Sequence, residues 1–266
     1  MPLIDNRNQT LQEALKNALS TAEGVDIAVG YFYFSGFQAL AHELKDKKVR
    51  ILVGLEVNPD LIPLITQNAR EGDVDLTRFQ PHIQTTSKTA LRQNYIDTLV
   101  GFVNDSDVFD NKKTSDIFDL FIQKIENGTL EIRKTIDNFH GKLYILRNKP
   151  EHSQNGDFPG TVFMGSSNFT YNGLTGQGEL NDSSREKIKF TEYKNEFEKM
   201  WDESKSITVA DVSTKKDFLD SVKDRIWKYS LPKPYYVYIR VLHELFSQEK
   251  LDFLLTPQAI TKGVYI

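Results

Sequence analysis

The residues best suited to chemistry in this chain are His140 and Lys142, two positions apart in the stretch Phe139–Leu146. Apolar residues dominate this stretch, so it is predicted to be a strand that enters the core. Because side chains alternate between the two faces of a strand, we expect the imidazole and the ammonium to point the same way. A nucleophile would then lie beside a fixed cation.

A second stretch, Phe163–Thr170, ends in small hydroxyl and amide side chains: Ser166, Ser167 and Asn168. Donors of this kind could hold an oxyanion, although such residues also commonly cap turns. Glu179 is the carboxylate whose position in the sequence best suits it to orient the imidazole. The alternative is that Glu179 is an ordinary surface carboxylate without a role in the site. The set favours attack on phosphorus over attack on carbon.

A phosphodiester suits these residue types because it is anionic and repels hydroxide. Its cleavage without a metal needs a cation for the equatorial oxygens, a nucleophile, and an acid for the leaving oxygen. Histidine can serve as nucleophile or acid because its pKa lies near about 6.5. Lys142 would supply the charge, and Ser166 and Asn168 the hydrogen-bond donors.

The composition is that of a globular protein with a sizeable core: 266 residues, 39% hydrophobic and 26% charged. The absence of cysteine excludes disulfides, thiolate catalysis and thiolate zinc sites. No apolar run approaches the roughly 20 residues of a membrane helix, and the first residues lack the apolar core of a signal peptide. We therefore expect a cytoplasmic protein that makes no membrane contact.

The net charge of −4 argues against a protein coated in basic charge, but residues 129–150 carry a local balance of +3. The five cations of this segment are Arg133, Lys134, Lys142, Arg147 and Lys149. They are predicted to form a basic surface for nucleic acid near the suspected chemistry, with a solvated strand edge as the alternative.

The apolar periodicity alternates between strands and helices, which favours an α/β sheet with helices on its faces. Strands are predicted at 25–34, 49–53, 129–134, 139–147 and 161–165. Helices are predicted at 8–21, 37–46, 59–70, 86–102, around 117–125, from 194 onward, and at 214–229 and 235–248.

The order of these pieces resembles the phospholipase D superfamily, the HKD nucleases included. The matching residues, in family order, are His140-x-Lys142, Gly165-Ser166-x-Asn168, Gly173-Leu174 and Glu179. The resemblance covers roughly residues 20–205. It implies an α/β/α sandwich on a mixed sheet for residues 1–205, followed by a helical extension over 206–266.

The resemblance also implies a two-step mechanism without metal or cofactor. His140 would attack phosphorus and form a phosphohistidine, and a second histidine would protonate the leaving oxygen and then activate water. Lys142, Ser166, Ser167 and Asn168 would hold the phosphate, and Glu179 would orient the histidine. The remaining histidines have no lysine two positions on, so a homodimer is expected to bring two His140 residues together.

One position departs from the family pattern. The acidic residue expected five places after the lysine is Arg147 here. Either Arg147 makes a different contact, with substrate among the options, or the site is impaired.

Residues 230–246 resemble the connector seen where an HKD nuclease domain precedes a Swi/Snf-type helicase, so the nuclease module is expected to belong to a helicase or a restriction-type enzyme. The last residues, 256–266, carry no stop signal, so we expect a fragment of a longer chain. Three functions follow, in order: a dimeric DNA endonuclease module, a degenerate DNA-binding module attached to a helicase, and a phospholipase.

Overall fold

The computed structural model describes residues 3–54, 88–105, 112–153, 156–176, 178–211, 213–226, 238–239 and 241–242. The chain divides into two compact units, residues 1–226 and 227–266. The first unit is built on a seven-stranded sheet. Its strands are β1 (Ala22–Val29), β2 (Lys48–Val53), β3 (Leu130–Lys134), β4 (Leu143–Asn148), β5 (Gly160–Gly165), β6 (Asn181–Ser184) and β7 (Thr208–Ala210).

The strand order is β6-β5-β4-β1-β2-β3-β7, and the sheet is mixed, as predicted. Strands β1, β2 and β3 are parallel, whereas β4 is antiparallel to β1 and the outer pairs are antiparallel too. The carboxyl ends of β1, β2, β3 and β5 therefore meet the amino ends of β4 and β6 at one edge. We call it the upper edge.

Seven α-helices lie among the described residues: α1 (Leu11–Leu19), α2 (Phe34–Leu44), α3 (Lys88–Asp105), α4 (Lys112–Glu126), α5 (Tyr171–Thr175), α6 (Lys187–Glu203) and α7 (Lys215–Arg225). A side-chain cap explains where the first of these helices begins. The helix α1 begins with a capping box, in which Thr10 and Glu13 satisfy each other's backbone N–H groups.

Helices cover both faces of the sheet, which gives the α/β/α sandwich that the sequence indicated. On one face, Phe34, Phe37, Phe118 and Phe121 of α2 and α4 pack as an aromatic layer. On the other face, Phe190, Phe197 and Trp201 of α6 pack on residues of β1, β2, β4 and β5. No described helix is long and apolar enough to cross a membrane.

Several boundaries differ from the predictions. The first strand ends at Val29 rather than Phe34, because Phe32 leaves the sheet to pair with Phe169 and Phe34 begins α2. The short elements α5, β6 and β7 were not predicted. Strand β7 joins the sheet beside β3, so the first unit extends to 226 instead of 205.

The predicted helix at 59–70 lies outside the described residues. Within 235–248, only Tyr238, Ile239, Val241 and Leu242 are described, and all four are helical.

Candidate active site

His140 lies at the upper edge, in the connection between β3 and β4, and its side chain is exposed. The prediction that it lies within a strand is wrong, because β4 begins only at Leu143. Just before His140, the main chain is tied to the end of β2, because the Phe139 N–H donates to the Gly54 carbonyl at 3.3 Å. A Cβ on Gly54 would lie 1.9 Å from the Phe139 oxygen, so only glycine permits this approach. The contact presents the imidazole to solvent.

Lys142 lies beneath His140 rather than beside it on a strand face. Its side chain is 4% exposed, and its Nζ donates to the main-chain oxygen of His140 at 2.6 Å. Burial lowers the pKa of Lys142, and the negative charge of Glu179 opposes that shift. Burial, and secondly the Lys142 ammonium, lower the pKa of His140 below 6.5. The imidazole is therefore mainly neutral at pH 7 and can act as a nucleophile.

Ser166 and Glu179 bind each other at the same edge. The Ser166 hydroxyl donates to Oε2 of Glu179 and accepts the Leu180 N–H at 2.9 Å. Among the described residues, the Glu179 carboxylate accepts this hydrogen bond from Ser166 and forms none with the His140 imidazole, which it was predicted to orient. The structure thus places Glu179 on the serine, within electrostatic range of Lys142.

Ser167 points into the protein, so its predicted role in substrate binding is corrected here. It is fully buried, its Oγ accepts Nδ2 of Asn181 at 2.8 Å, and its N–H donates to Oδ1 of Asn181 at 3.4 Å. Below it, the hydroxyl of Tyr144 donates to its main-chain oxygen at 2.8 Å. The buried Ser167 therefore fixes the position of the loop that presents Ser166 and Asn168.

Asn168 is half-buried and joins this loop to the end of β1. Its Oδ1 accepts the Tyr31 N–H at 2.9 Å. This bond fixes which end of the amide is the acceptor, so the NH₂ group is directed away from Tyr31. Asn168 therefore remains a candidate donor to an anion.

Arg147 lies near the other end of β4, about 17 Å along the strand from Lys142. Its guanidinium pairs with Oδ2 of Asp26 on β1, a carboxylate whose other oxygen binds Nε of Arg50 at 2.7 Å. A Cβ on Gly24 would lie 2.3 Å from the Arg147 guanidinium, so the glycine leaves room for it. Arg147 thus does not contribute to the site, which corrects the prediction that it binds substrate.

The basic segment 129–150 also forms no single surface. Arg133 donates to the main-chain oxygen of Trp201 at 2.7 Å, and Lys134 is buried with its Nζ on the Gly54 carbonyl at 3.0 Å. Lys149 follows β4 at the opposite edge, where its N–H binds the Thr21 carbonyl. Of the five cations, Lys142 is the one whose ammonium binds the main chain of His140.

Sequence reasoning missed the buried residues Tyr144 and Asn181 that hold the loop. Tyr144 carried a weak signal, since a tyrosine in an apolar strand needs a partner for its hydroxyl. Asn181 gave no such signal in the sequence, because every residue of its strand is polar and Asn181 does not stand out among them. Among the described residues, no group of three or more histidine or acidic side chains could hold a metal ion.

The assembled site has an exposed neutral imidazole, a fixed ammonium below it, and hydroxyl and amide groups across the upper edge. A tetrahedral anion bound at this edge would be attracted by the Lys142 charge and could accept hydrogen bonds from the amide and hydroxyl groups, with the exposed His140 imidazole nearby.

The sequence matches a protein family described as cardiolipin synthase, PLD-like domain, over residues 11–201. No curated protein matches it significantly by sequence. Two similar solved structures are the phospholipase D family member Nuc from Salmonella typhimurium (12% identity, 77% of this chain and 95% of that chain, TM-score 0.40) and NucT from Helicobacter pylori (15%, 76% and 95%, TM-score 0.38). The archaeal chromatin protein TrmBL2 is also similar (12%, 77% and 53%, TM-score 0.35).

Proposed function

We propose that this chain, which belongs to the phospholipase D-like domain family, is a metal-independent DNA endonuclease that uses His140 as its nucleophile. The family acts on phosphodiesters, and the finer assignment to DNA is our proposal. The observation that carries it is the pairing of an exposed imidazole of lowered pKa with an ammonium fixed on the main chain of the same residue.

In the first step, a ring nitrogen of His140 forms a bond to phosphorus and the bond to the leaving oxygen breaks. The leaving oxygen takes a proton from a second histidine. In the second step, that histidine removes a proton from water, the hydroxide bonds to phosphorus, and the bond between phosphorus and nitrogen breaks. His140 returns to its neutral form.

Lys142 and Asn168 would hold the non-bridging oxygens of the phosphate. Ser166 would join them by exchanging its hydrogen bond to Glu179 for one to the substrate. Because Glu179 then loses its partner, the carboxylate becomes available to the Lys142 ammonium or to an imidazole nearby. The hydrogen bonds that fix Asn168, Lys142 and Ser166 within the protein support these roles.

The second histidine is proposed to be His140 of a second copy of the chain. The other described histidines, His42 and His152, lie in α2 and in the short turn after β4. His152 follows the end of β4 that is remote from His140, so it is not positioned to protonate a leaving group. A two-fold axis near the upper edge would bring two equivalent imidazoles onto one phosphate.

The alternative is a DNA-binding module that does not cut, and it would sit in the same larger chain as a helicase. One observation favours it, namely that Ser166 is already engaged by Glu179. Arg147 gives it no support, because that side chain lies in an ion pair away from the site. A phospholipase is the third option and has no specific observation behind it.

The test is nicking of plasmid DNA in the presence of EDTA. We expect His140→Ala to abolish nicking while DNA binding survives, and the matched control His152→Ala to nick like the wild type. Cleavage by His140→Ala at the wild-type rate would refute the role of His140 as the nucleophile. Binding without cleavage by the wild type would favour the DNA-binding module, and cleavage of phospholipid vesicles alone would favour the phospholipase.

A further inference from the structure

We propose that the N-terminal segment, residues 3–10, is a clamp that holds Glu179 at the candidate active site. The inference rests on the proposed function, which assigns Glu179 to the site but says nothing of what fixes its position. The segment contacts both ends of the stretch 176–181 that carries Glu179.

Asn6 holds the first end. It is 6% exposed, and its Nδ2 donates to the Gly176 carbonyl at 2.7 Å while its Oδ1 accepts the Leu11 N–H at 2.7 Å. Its φ of 56° lies in the left-handed region, which asparagine tolerates better than most residues do. One side chain thus ties the start of α1 to the end of α5.

Ile4 holds the second end. It pairs with Asn181 through two main-chain hydrogen bonds of 2.9 and 2.8 Å. Asn181 in turn binds Ser167 through its side chain, as described above. The same pairing therefore fixes the end of the 176–181 stretch and the loop that presents Ser166.

Glu179 lies between these two fixed points, and its contact with Ser166 depends on both. Loosening the Gly176 end would let the carboxylate move relative to Ser166 and Lys142. The donors Lys142 and Asn168 are held by other contacts, and the loop of Ser166 stays held from its Asn181 side, so we expect the affinity for a phosphate backbone to stay unchanged. Asn6 is thus a positioning residue whose loss affects turnover more than binding.

The test compares the wild type with Asn6→Gly, which keeps the left-handed backbone accessible and removes the side-chain hydrogen bonds. The matched control is Thr10→Ala, which removes the cap of α1 in the same segment; among the described residues, the side-chain hydrogen bonds of this cap join Thr10 to Glu13 and not to Gly176 or Asn181. Hydrogen exchange of the Leu180 amide reports the clamp directly, because that N–H donates to Ser166. Nicking rates and DNA affinities, the latter in the His140→Ala background, report its effect on the site.

We expect Asn6→Gly to speed Leu180 exchange and to lower the nicking rate constant about 10- to 100-fold at unchanged DNA affinity. Thr10→Ala should match the wild type in Leu180 exchange and in rate. Unchanged Leu180 exchange in Asn6→Gly, faster exchange at an unchanged rate, or equal effects of the two variants would each overturn the inference. Faster exchange in a protein whose wild type cuts nothing would refute the proposed function and leave the clamp supported.

Discussion

The two ends of β4 each carry a cation, and the protein treats the two cations differently. Near one end, Arg147 binds the carboxylate of Asp26, a side chain with no solvent exposure that also binds Arg50. Just before the other end, the Lys142 ammonium donates to the neutral carbonyl of His140. The first charge is neutralised within the fold by a carboxylate bound directly to it, whereas the second is fixed in place by a neutral carbonyl, and the negative charge of Glu179 acts on it only from a distance.

We propose that this difference separates a structural cation from one that serves the candidate active site. A charge neutralised by a buried partner contributes to the packing of β1 on β4 and cannot also bind a ligand. A charge held by a neutral carbonyl keeps its attraction for an anion. The comparison predicts that changes at Arg147 alter stability, and that changes at Lys142 alter activity.

The largest effect is expected from Arg147→Asp, which restores the acidic residue of the family pattern. It would place a second carboxylate beside Asp26, so we expect the free energy of unfolding to fall by about 3–5 kcal/mol. Urea denaturation measures this loss. The control Lys149→Asp makes the same charge change outside the ion pair and should shift stability by no more than about 0.5 kcal/mol. Equal losses of stability in the two variants would contradict the claim that Arg147 stabilises the fold through its ion pair.

Lys142→Met should show the converse pattern. Methionine keeps most of the buried aliphatic packing, while the phosphate loses its cation, so we expect turnover to fall about 100- to 1000-fold. Lys149→Met is the matched control and should retain wild-type turnover. Single-turnover nicking with EDTA present measures both. A Lys142→Met protein that cuts DNA at the wild-type rate would show that this ammonium is structural as well.

The smallest effect concerns the titration of His140. Burial and, secondly, the Lys142 charge disfavour the imidazolium, so the pKa of His140 lies below 6.5. Because the proposed reaction needs one neutral imidazole and one imidazolium from the two equivalent His140 residues, nicking should pass through a maximum near that lower pKa and fall on both its acid and its alkaline side. In Lys142→Met, the pKa of His140 should move upward but remain below 6.5, because burial is the larger cause. Proton NMR of the imidazole, assigned with His140→Gln, measures the shift. A downward shift in Lys142→Met would contradict the electrostatic account.

Much of the fold could be predicted from the sequence because its central strands are apolar and its helices have apolar faces. The edge elements could not be predicted. Strand β6 is composed of Asn, Asp and two serines, so it has no strand propensity and depends on pairing with β5. The aromatic residues after Val29 have strand propensity, yet Phe32 leaves the sheet to stack on Phe169 and Phe34 begins α2.

The motif residues were identified by their types, but their orientations could not be predicted. The contact between Gly54 and Phe139, which keeps His140 out of β4, joins residues 85 positions apart in the chain. The partner of Arg147 lies 121 positions away on β1. Asp26 was not singled out from the sequence, and nothing in the sequence near either residue identifies the two as partners.

The central claim is that His140 bonds to phosphorus, and trapping the adduct tests it most directly. End-labelled DNA is mixed with protein and EDTA, denatured at alkaline pH to preserve a phosphohistidine, and separated on a denaturing gel. We expect a labelled protein band with the wild type and with His152→Ala, and none with His140→Ala. DNA that is cut without any such band, or a band of equal intensity with His140→Ala, would contradict the account.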